Sequence, residues 1–230
     1  MQNVNQPILT GLLFIMFGLL SGLPFFGLGR VFEYPDILRQ PTGEVLRKYK
    51  AGGVRLRLLW LAFASAFLAL VPVVVLFHQA LAAQGPAPWY LGIGTAFGLL
   101  AAGFNLLGLI RWVFLVPLLV EKYLDEEASQ ATRESVEVVF EALHTYAGMS
   151  IGEFLGYTCL ALWGVIVGAA ILETGLLNWV FGASAIVLSL GVLIGDLEFA
   201  GWKPAGAIVA ISSSLLIVWS LAVGLAFLFV

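Results

Sequence analysis

Three side chains near the middle of the chain have the type and spacing that metal chemistry uses. Glu141 and His144 are separated by two residues, which places them on one helical face, as in di-iron carboxylate sites. Glu137 lies one turn earlier on much the same face. Such sites need a second Glu-x-x-His motif and further carboxylates, and the sequence has no second copy. We therefore interpret these residues as a solvated helix face and expect no metal or other cofactor; a metal-dependent membrane enzyme is the alternative.

Glu153 is the only carboxylate within an otherwise apolar stretch. An unpaired charge at the centre of a membrane span costs roughly 2.5–3.5 kcal/mol on insertion scales, so such residues usually mark function. At ~1.5 Å per residue, Glu153 lies about 28 Å from Leu172 and Arg111 about 33 Å from Trp89 along their helices. The two helices are expected to run antiparallel, which places both side chains at the same membrane boundary, within reach of each other. The pair is either an ion pair that fixes helix register or part of the floor of a functional pocket.

His144 and Tyr157 complete a predicted polar cluster with Arg111 and Glu153. Tyr157 follows Glu153 by four residues and so shares its helical face, while His144 precedes the apolar stretch. Along the same helix, glycines recur in steps of four or eight and leave a groove into which another helix can pack closely. These helix-packing glycines are Gly148, Gly152, Gly156, Gly164 and Gly168. The sequence therefore predicts a polar cluster beside a close helix contact.

The composition indicates that these residues lie in a membrane protein. Hydrophobic residues make up 61% of the sequence and charged residues 11%, with a mean hydropathy of +1.01, whereas soluble domains have about 25% charged residues. The apolar stretches lack the alternation that the strands of a membrane barrel show. We predict an all-α membrane protein, a six-helix transmembrane bundle formed by a single transmembrane domain of residues 1–230. The expected spans, each near the ~20 residues that cross a bilayer, are 8–28, 58–77, 89–110, 148–172, 177–194 and 207–229.

All eleven Lys and Arg residues lie in three of the connections between these spans. The three connections are 29–57, 111–147 and 195–206, and the other connections and both termini carry no basic residue. Loops rich in Lys and Arg stay in the cytoplasm. We therefore expect these connections inside and both termini outside, in the bacterial cytoplasmic (inner) membrane.

The first of these connections is expected to hold an amphipathic helix at the membrane surface. Within 35–50, Val45, Leu46 and Tyr49 form an apolar stripe, and Gly52-Gly53 is expected to end the helix. Five basic residues are expected to contact anionic lipid headgroups, namely Arg47, Lys48, Lys50, Arg55 and Arg57. In the second connection, 112–124 and 130–147 are expected to extend the third and fourth spans as an antiparallel helical hairpin.

Three blocks of the sequence carry a resemblance to a known family. They are FEYPDILRQPTGEVL, RWVFLVPLLVEKY and ATRESVEVVFEALHTYAGMSIGEFLGY. Together they resemble the prokaryotic integral membrane proteins grouped as domain of unknown function 4386, and the resemblance extends over about residues 10–225. It implies a multi-span prokaryotic membrane protein and no particular activity, so no catalytic or ligand residue is carried over from it.

From these residues we expect a non-enzymatic protein that binds a lipid, a small amphiphile or a membrane partner through a polar cluster facing the cytoplasm. The sequence has no Gly-rich phosphate loop, nucleophile elbow or zinc-protease motif, and no basic surface suited to nucleic acid. The alternatives are a secondary transporter or proton-linked permease that uses Glu153, and the metal-dependent enzyme described above. The lipid bilayer is the expected partner. The sequence leaves open whether the chain also forms a homo-oligomer or joins a larger membrane complex.

Overall fold

The computed structural model describes residues 5–229, which are almost entirely helical. Seven α-helices follow in order, and a π-helical segment joins the fourth to the fifth; short 3₁₀-helices at Asp36–Arg39 and Asp196–Ala200 lie in two of the connections. The α-helices are α1 (Asn5–Phe32), α2 (Thr42–Ala82), α3 (Leu91–Tyr123), α4 (Gln130–Leu143), α5 (Gly156–Thr174), α6 (Trp179–Gly195) and α7 (Pro204–Phe227), with the π segment at His144–Leu155. The all-α class predicted from the sequence is confirmed.

Six helical stretches are long and apolar enough to cross a membrane, as the sequence predicted. They are Gln6–Phe32, Thr42–Ala82, Leu91–Tyr123, Gln130–Thr174, Trp179–Ala200 and Pro204–Phe227. Several exceed the predicted spans, because the helices continue into the predicted connections. The part of α2 that follows Gly53, residues 54–82, extends about 44 Å at ~1.5 Å per residue, more than the ~30 Å hydrocarbon core of a bilayer. The helices thus extend beyond the predicted spans, whose own boundaries stay predictions.

A kink at the Gly52-Gly53 pair interrupts α2, at the point where the sequence predicted the end of a helix. The φ of 56° and ψ of −145° at Gly53 lie outside the helical region, and a second helical stretch follows at once. A positive φ is available to glycine without the steric penalty that a Cβ imposes. The apolar stripe before the kink is buried within the protein, because Val45, Leu46 and Tyr49 are at most 4% exposed. This segment packs as the first part of α2.

The six long helices pack in a closed ring. Neighbouring pairs in the ring are α1 with α2, α2 with α3, α3 with α5, α5 with α6, α6 with α7, and α7 with α1. Close approaches between glycines bring some of these helices together; a Cβ on either Gly168 or Gly182 would lie 2.7 Å from the carbonyl oxygen of the other. Aromatic side chains fill much of the interior, with Phe14 and Phe77 edge to face at 5.0 Å between ring centres.

We call the end of the bundle where α1 and α3 end and α2 and α4 begin the basic end, because it carries the Lys and Arg residues. There, α4 folds back beside α3, since the hydroxyl of Tyr123 donates to the Glu137 carboxylate at 2.8 Å. The start of α2 joins them, with 3.4 Å between Thr42 Oγ1 and Glu141 Oε1. Trp60 and Trp112 stack at 4.7 Å in the core of this end. These contacts form the frame around the predicted polar cluster.

Candidate functional site

The π segment determines where the predicted polar residues lie. Its backbone carries His144, Gly148, Gly152 and Glu153 between two regular α-helices. In a π-helix the N–H of one residue bonds the carbonyl five residues earlier, so each turn contains more residues than an α-turn; such segments occur frequently at functional sites. The shared helical face that four-residue spacing gives Glu153 and Tyr157 in a regular α-helix therefore does not apply within this segment.

Glycines allow α3 to contact the π segment backbone to backbone. A Cβ on Gly108 would lie 2.5 Å from the Cα of Gly152, and a Cβ on Gly152 would lie 2.9 Å from the Cα of Gly108. One turn away on either side, Gly148 lies against the guanidinium of Arg111 and Gly156 against the side chain of Asn105. This crossing holds Arg111 against the π segment.

The glycines farther along α5 contact a different helix. Gly164 lies against the side chain of Ser189, and Gly168 against Gly182, both on α6. The glycine series predicted from the sequence thus lies in two interfaces, since Gly148, Gly152 and Gly156 face α3.

Arg111 is held by three contacts near the basic end. Its Nη1 donates to the carbonyl oxygen of Gly108, its Nη2 lies 3.3 Å from Nδ1 of His144, and the guanidinium lies 5.3 Å from the centre of the Trp112 ring. Because a guanidinium only donates hydrogen bonds, His144 accepts through Nδ1 and carries its proton on Nε2. The imidazole also stacks on Phe140 at 5.6 Å, which fixes its plane.

Glu153 lies on the same cavity as Arg111 without pairing with it directly. The ion pairs found within residues 5–229 join other groups, and none brings Arg111 within 4.0 Å of a carboxylate. The sequence had placed an Arg111–Glu153 pair here, whereas the nearest ionisable partner of Arg111 is His144. A cation and a carboxylate therefore line one cavity with a gap between them.

This polar cavity has a volume of about 30 Å³. Its walls come from α2, α3, the π segment, α5 and the connection after α1; they are Tyr34, Leu38, Phe63, Phe67, Asn105, Gly108, Leu109, Arg111, Trp112, Gly148, Gly152, Glu153 and Tyr157. Burial raises the pKa of Tyr34 well above its usual range, so the phenol stays protonated and neutral. One water needs about 10–15 Å³ on this scale, so the cavity has room for a small polar group.

A larger apolar cavity of about 90 Å³ lies beside the polar one, and sequence reasoning missed it. Phe63, Phe67 and Tyr157 line both cavities. The other walls of this aromatic cavity are Phe14, Phe17, Ser21, Phe25, Leu160, Trp163, Gly164, Ala185, Ser189, Ser213, Ser214, Leu216, Ile217, Trp219 and Ser220. The run Ser212-Ser213-Ser214 inside an apolar span was the one signal in the sequence, because serines are enriched where the helices of a membrane bundle pack against one another.

The three residues considered for a metal site have separate contacts. Glu137 accepts from Tyr123, the carboxylate of Glu141 lies beside the Thr42 hydroxyl, and His144 accepts from Arg111. Over the part of the chain that the structure describes, no group of three or more His, Cys, Asp or Glu side chains is placed to hold a metal ion.

Most of the residues predicted to contact lipid headgroups are exposed at the basic end. Arg47, Lys50, Arg55 and Arg57 are exposed, while Lys48 is partly buried and pairs with Glu33. Their charges therefore remain available to an anionic surface, although the apolar stripe beside them packs inside the protein.

Comparison with known proteins identifies the family of the chain. No curated protein and no solved structure matches it. A family model described as a domain of unknown function (DUF4386) matches residues 9–230. With this match over nearly the whole chain, the protein belongs to the DUF4386 family.

Proposed function

We propose that this protein is a non-enzymatic membrane protein that binds an amphiphile, with the polar headgroup of the ligand in the cavity between Arg111 and Glu153. The observation that carries the proposal is the pair of opposite charges that line one small cavity without an ion pair between them. Isolated charges at low dielectric are costly unless they are paired or solvated. A ligand group placed between them would satisfy both.

The chemistry of the two side chains defines the headgroup. The guanidinium of Arg111 has five N–H donors and contacts one carbonyl and one imidazole nitrogen, so further donors are available to an anionic oxygen. Ionised Glu153 only accepts hydrogen bonds and suits an ammonium, N–H or O–H group. A zwitterionic headgroup, or an anionic group beside a hydroxyl, therefore complements the site. The small volume of the cavity favours a compact group of this kind.

We further propose that the site opens toward the cytoplasm and that the protein resides in the cytoplasmic (inner) membrane of a bacterium, with both termini outside. All eleven Lys and Arg residues lie in the three connections at one end of the helices. By the positive-inside rule, loops rich in Lys and Arg lie in the cytoplasm, and this supports the proposed orientation. The exposed basic residues near the start of α2, among them Arg47 and Lys50, would hold anionic headgroups of the inner leaflet near the site.

The proposal is tested by the amphiphiles that copurify with the protein. Protein extracted gently from its membrane is analysed by quantitative mass spectrometry of bound lipids, in parallel with total membrane lipid. We expect one zwitterionic or anionic amphiphile to be enriched in the wild type and depleted in Arg111→Gln and Glu153→Gln. Arg133→Gln and Glu134→Gln change exposed side chains on α4 and serve as matched controls that retain the ligand. Equal occupancy in all five proteins would contradict the proposal.

A proton-linked permease that uses Glu153 is the second candidate. It is supported by the position of this carboxylate, which lines a cavity, lies on a π segment and is not paired with Arg111. A carboxylate of this kind can take up and release a proton during transport. In reconstituted vesicles the permease would move the copurifying amphiphile in response to a pH gradient, and Glu153→Gln would abolish uptake while leaving binding measurable. Binding without gradient-driven uptake would exclude this candidate.

A further inference from the structure

Five of the long helices line the aromatic cavity. Phe14, Phe63 and Phe67 line one side, and Trp163 and Trp219 line another. Its volume of about 90 Å³ is three times that of the polar cavity. Its surface is mainly apolar, since rings and aliphatic side chains outnumber the serines. A cavity of this composition accommodates a hydrocarbon group better than water.

One polar atom in this wall has no partner. Ser189 is fully buried, and its Oγ makes no hydrogen bond within the described residues. Neighbouring hydroxyls are satisfied, because Ser220 donates to the carbonyl of Phe14 at 3.0 Å and Ser213 to that of Val209 at 2.6 Å. A buried hydroxyl without a partner destabilises a protein, so such atoms in a native fold call for an explanation. An acyl chain offers no acceptor to this hydroxyl, so the rings and aliphatic side chains of the wall define what the cavity binds.

Tyr157 lies between the two cavities and lines both. Glu153 is one turn away from it toward the basic end, and Leu160 and Gly164 follow it along the aromatic cavity. Going along this helical stretch from the basic end, the polar cavity therefore comes first and the aromatic cavity second. This order matches the order of groups in an amphiphile, a small head followed by a larger apolar body.

We infer that the aromatic cavity binds the single acyl chain of an amphiphile whose headgroup occupies the polar cavity, with Tyr157 at the junction. The inference rests on the proposed function, because lipid tails already provide an apolar environment and an apolar cavity alone gives little driving force for a chain to leave the bilayer. The polar groups supply that affinity, and the aromatic walls select the chain. A cavity of about 90 Å³ has room for part of one chain and not for two, so the ligand class is a single-chain lipid.

The experiment measures quenching of tryptophan fluorescence in full-length protein reconstituted in phosphatidylcholine nanodiscs. The probe is lysophosphatidylethanolamine with a dibrominated acyl chain, which quenches indoles that it contacts and whose primary ammonium can donate to Glu153. Exposed tryptophans such as Trp89 and Trp179 contact bulk lipid and give a quenching component that rises linearly with probe. Contact with Trp163 and Trp219 adds a component that saturates. We expect this saturable component in the wild type and its loss in the double variant Trp163→Phe, Trp219→Phe.

Ser213→Leu fills the aromatic cavity and Ser184→Leu is its matched control. Both hydroxyls donate to the carbonyl four residues earlier at 2.6 Å, but Ser184 lies outside the cavity. The saturable component should disappear in Ser213→Leu and remain in Ser184→Leu. Should Ser213→Leu fail to fold, Leu160→Phe narrows the cavity from α5 and is expected to give the same loss. Retention of the component in the variants that fill the cavity would overturn the inference.

Arg111→Gln in the same assay separates this inference from the proposed function. Loss of the saturable component both in Arg111→Gln and in the cavity-filling variants supports the two together. If Arg111→Gln loses it while Ser213→Leu and Leu160→Phe retain it, the headgroup site stands and the chain site is wrong. If the cavity-filling variants lose it while Arg111→Gln retains it, the chain site stands and the headgroup site is wrong. A wild type without any saturable component contradicts both assignments for this probe class.

Discussion

Gly108 of α3 and Gly152 of the π segment meet backbone to backbone, so that a methyl group on either would lie within 3 Å of the other's Cα. No side chain separates the two helices at this point. The contact lies beside the polar cavity, which both glycines line. Their close approach therefore fixes the distance between the wall that carries Arg111 and the wall that carries Glu153.

The first prediction concerns this contact. Gly108→Ala or Gly152→Ala must push the helices apart, because the nearest atoms are backbone and cannot rotate away. Overpacking of this kind costs about 1–3 kcal/mol, and we expect a lower thermal unfolding midpoint in detergent and weaker amphiphile binding. Gly103→Ala on the same helix meets open space and is the matched control, expected to be neutral or slightly stabilising. An unchanged midpoint in both interface variants would show that the crossing is not tight.

The second prediction concerns the hydroxyl of Tyr49, which donates to the backbone carbonyl of Trp112 in the core of the basic end. Tyr49→Phe keeps the ring in place and removes this bond, so the protein should lose about 0.5–1.5 kcal/mol of stability. Chemical denaturation in detergent, followed by circular dichroism, would measure the loss. Tyr146→Phe changes a side chain that is 66% exposed and is expected to have no effect. A similar result for the two variants would rule out a stabilising role for this hydrogen bond.

The third prediction concerns the ion pair between Arg39 and Glu198, whose charged atoms are 3.1 Å apart. It joins the 3₁₀-helix after α1 to the 3₁₀-helix after α6, and Leu38 beside it lines the polar cavity. Because both side chains are substantially exposed, a double-mutant cycle with Arg39→Gln and Glu198→Gln should give a coupling of about 0.2–1 kcal/mol. The coupling should fall at high salt, which screens exposed charges. Additive single effects at low salt would show that the pair does not hold the two segments together.

The fourth prediction tests the proposed orientation. Cys159, the single cysteine, is buried and is first replaced by serine. Gln84→Cys and Lys203→Cys then place thiols at exposed positions in the connections after α2 and before α7. In intact cells a membrane-impermeant maleimide should label residue 84, whereas residue 203 should react only after the membrane is permeabilised. The reverse pattern would invert the orientation, and the headgroup site would then face outside.

The number and type of the long helices were predictable because long apolar runs follow directly from the requirement to cross a hydrocarbon layer. The contact of Arg111 with His144 in place of Glu153 was not predictable, because the sequence-based distances assumed a uniform rise per residue and a constant turn. A π segment violates that assumption, and nothing in the residue types from His144 to Leu155 indicates where the wider turns begin.

The aromatic cavity escaped prediction for a different reason. Its walls come from helices that are far apart in the sequence, and Phe14, Trp163 and Trp219 each look like ordinary core residues by themselves. Only the packing of α1 against α7 and of α5 against α6 brings them together. The helix that follows directly after Gly53 was similarly hidden, because a glycine pair is compatible with the end of a helix and with a bend in one.

The π segment gives the long helical stretch from Gln130 to Thr174 two halves that are out of phase with each other. If the wide turns moved along the chain by one residue, α4 would rotate about its axis relative to α5. Glu153 and Tyr157 lie at or just beyond the end of the wide section, so migration of the wide turns would change which side chain faces Arg111. The twelve residues of the π segment therefore set the rotation of α4 relative to α5, and with it the side chains that face the polar cavity.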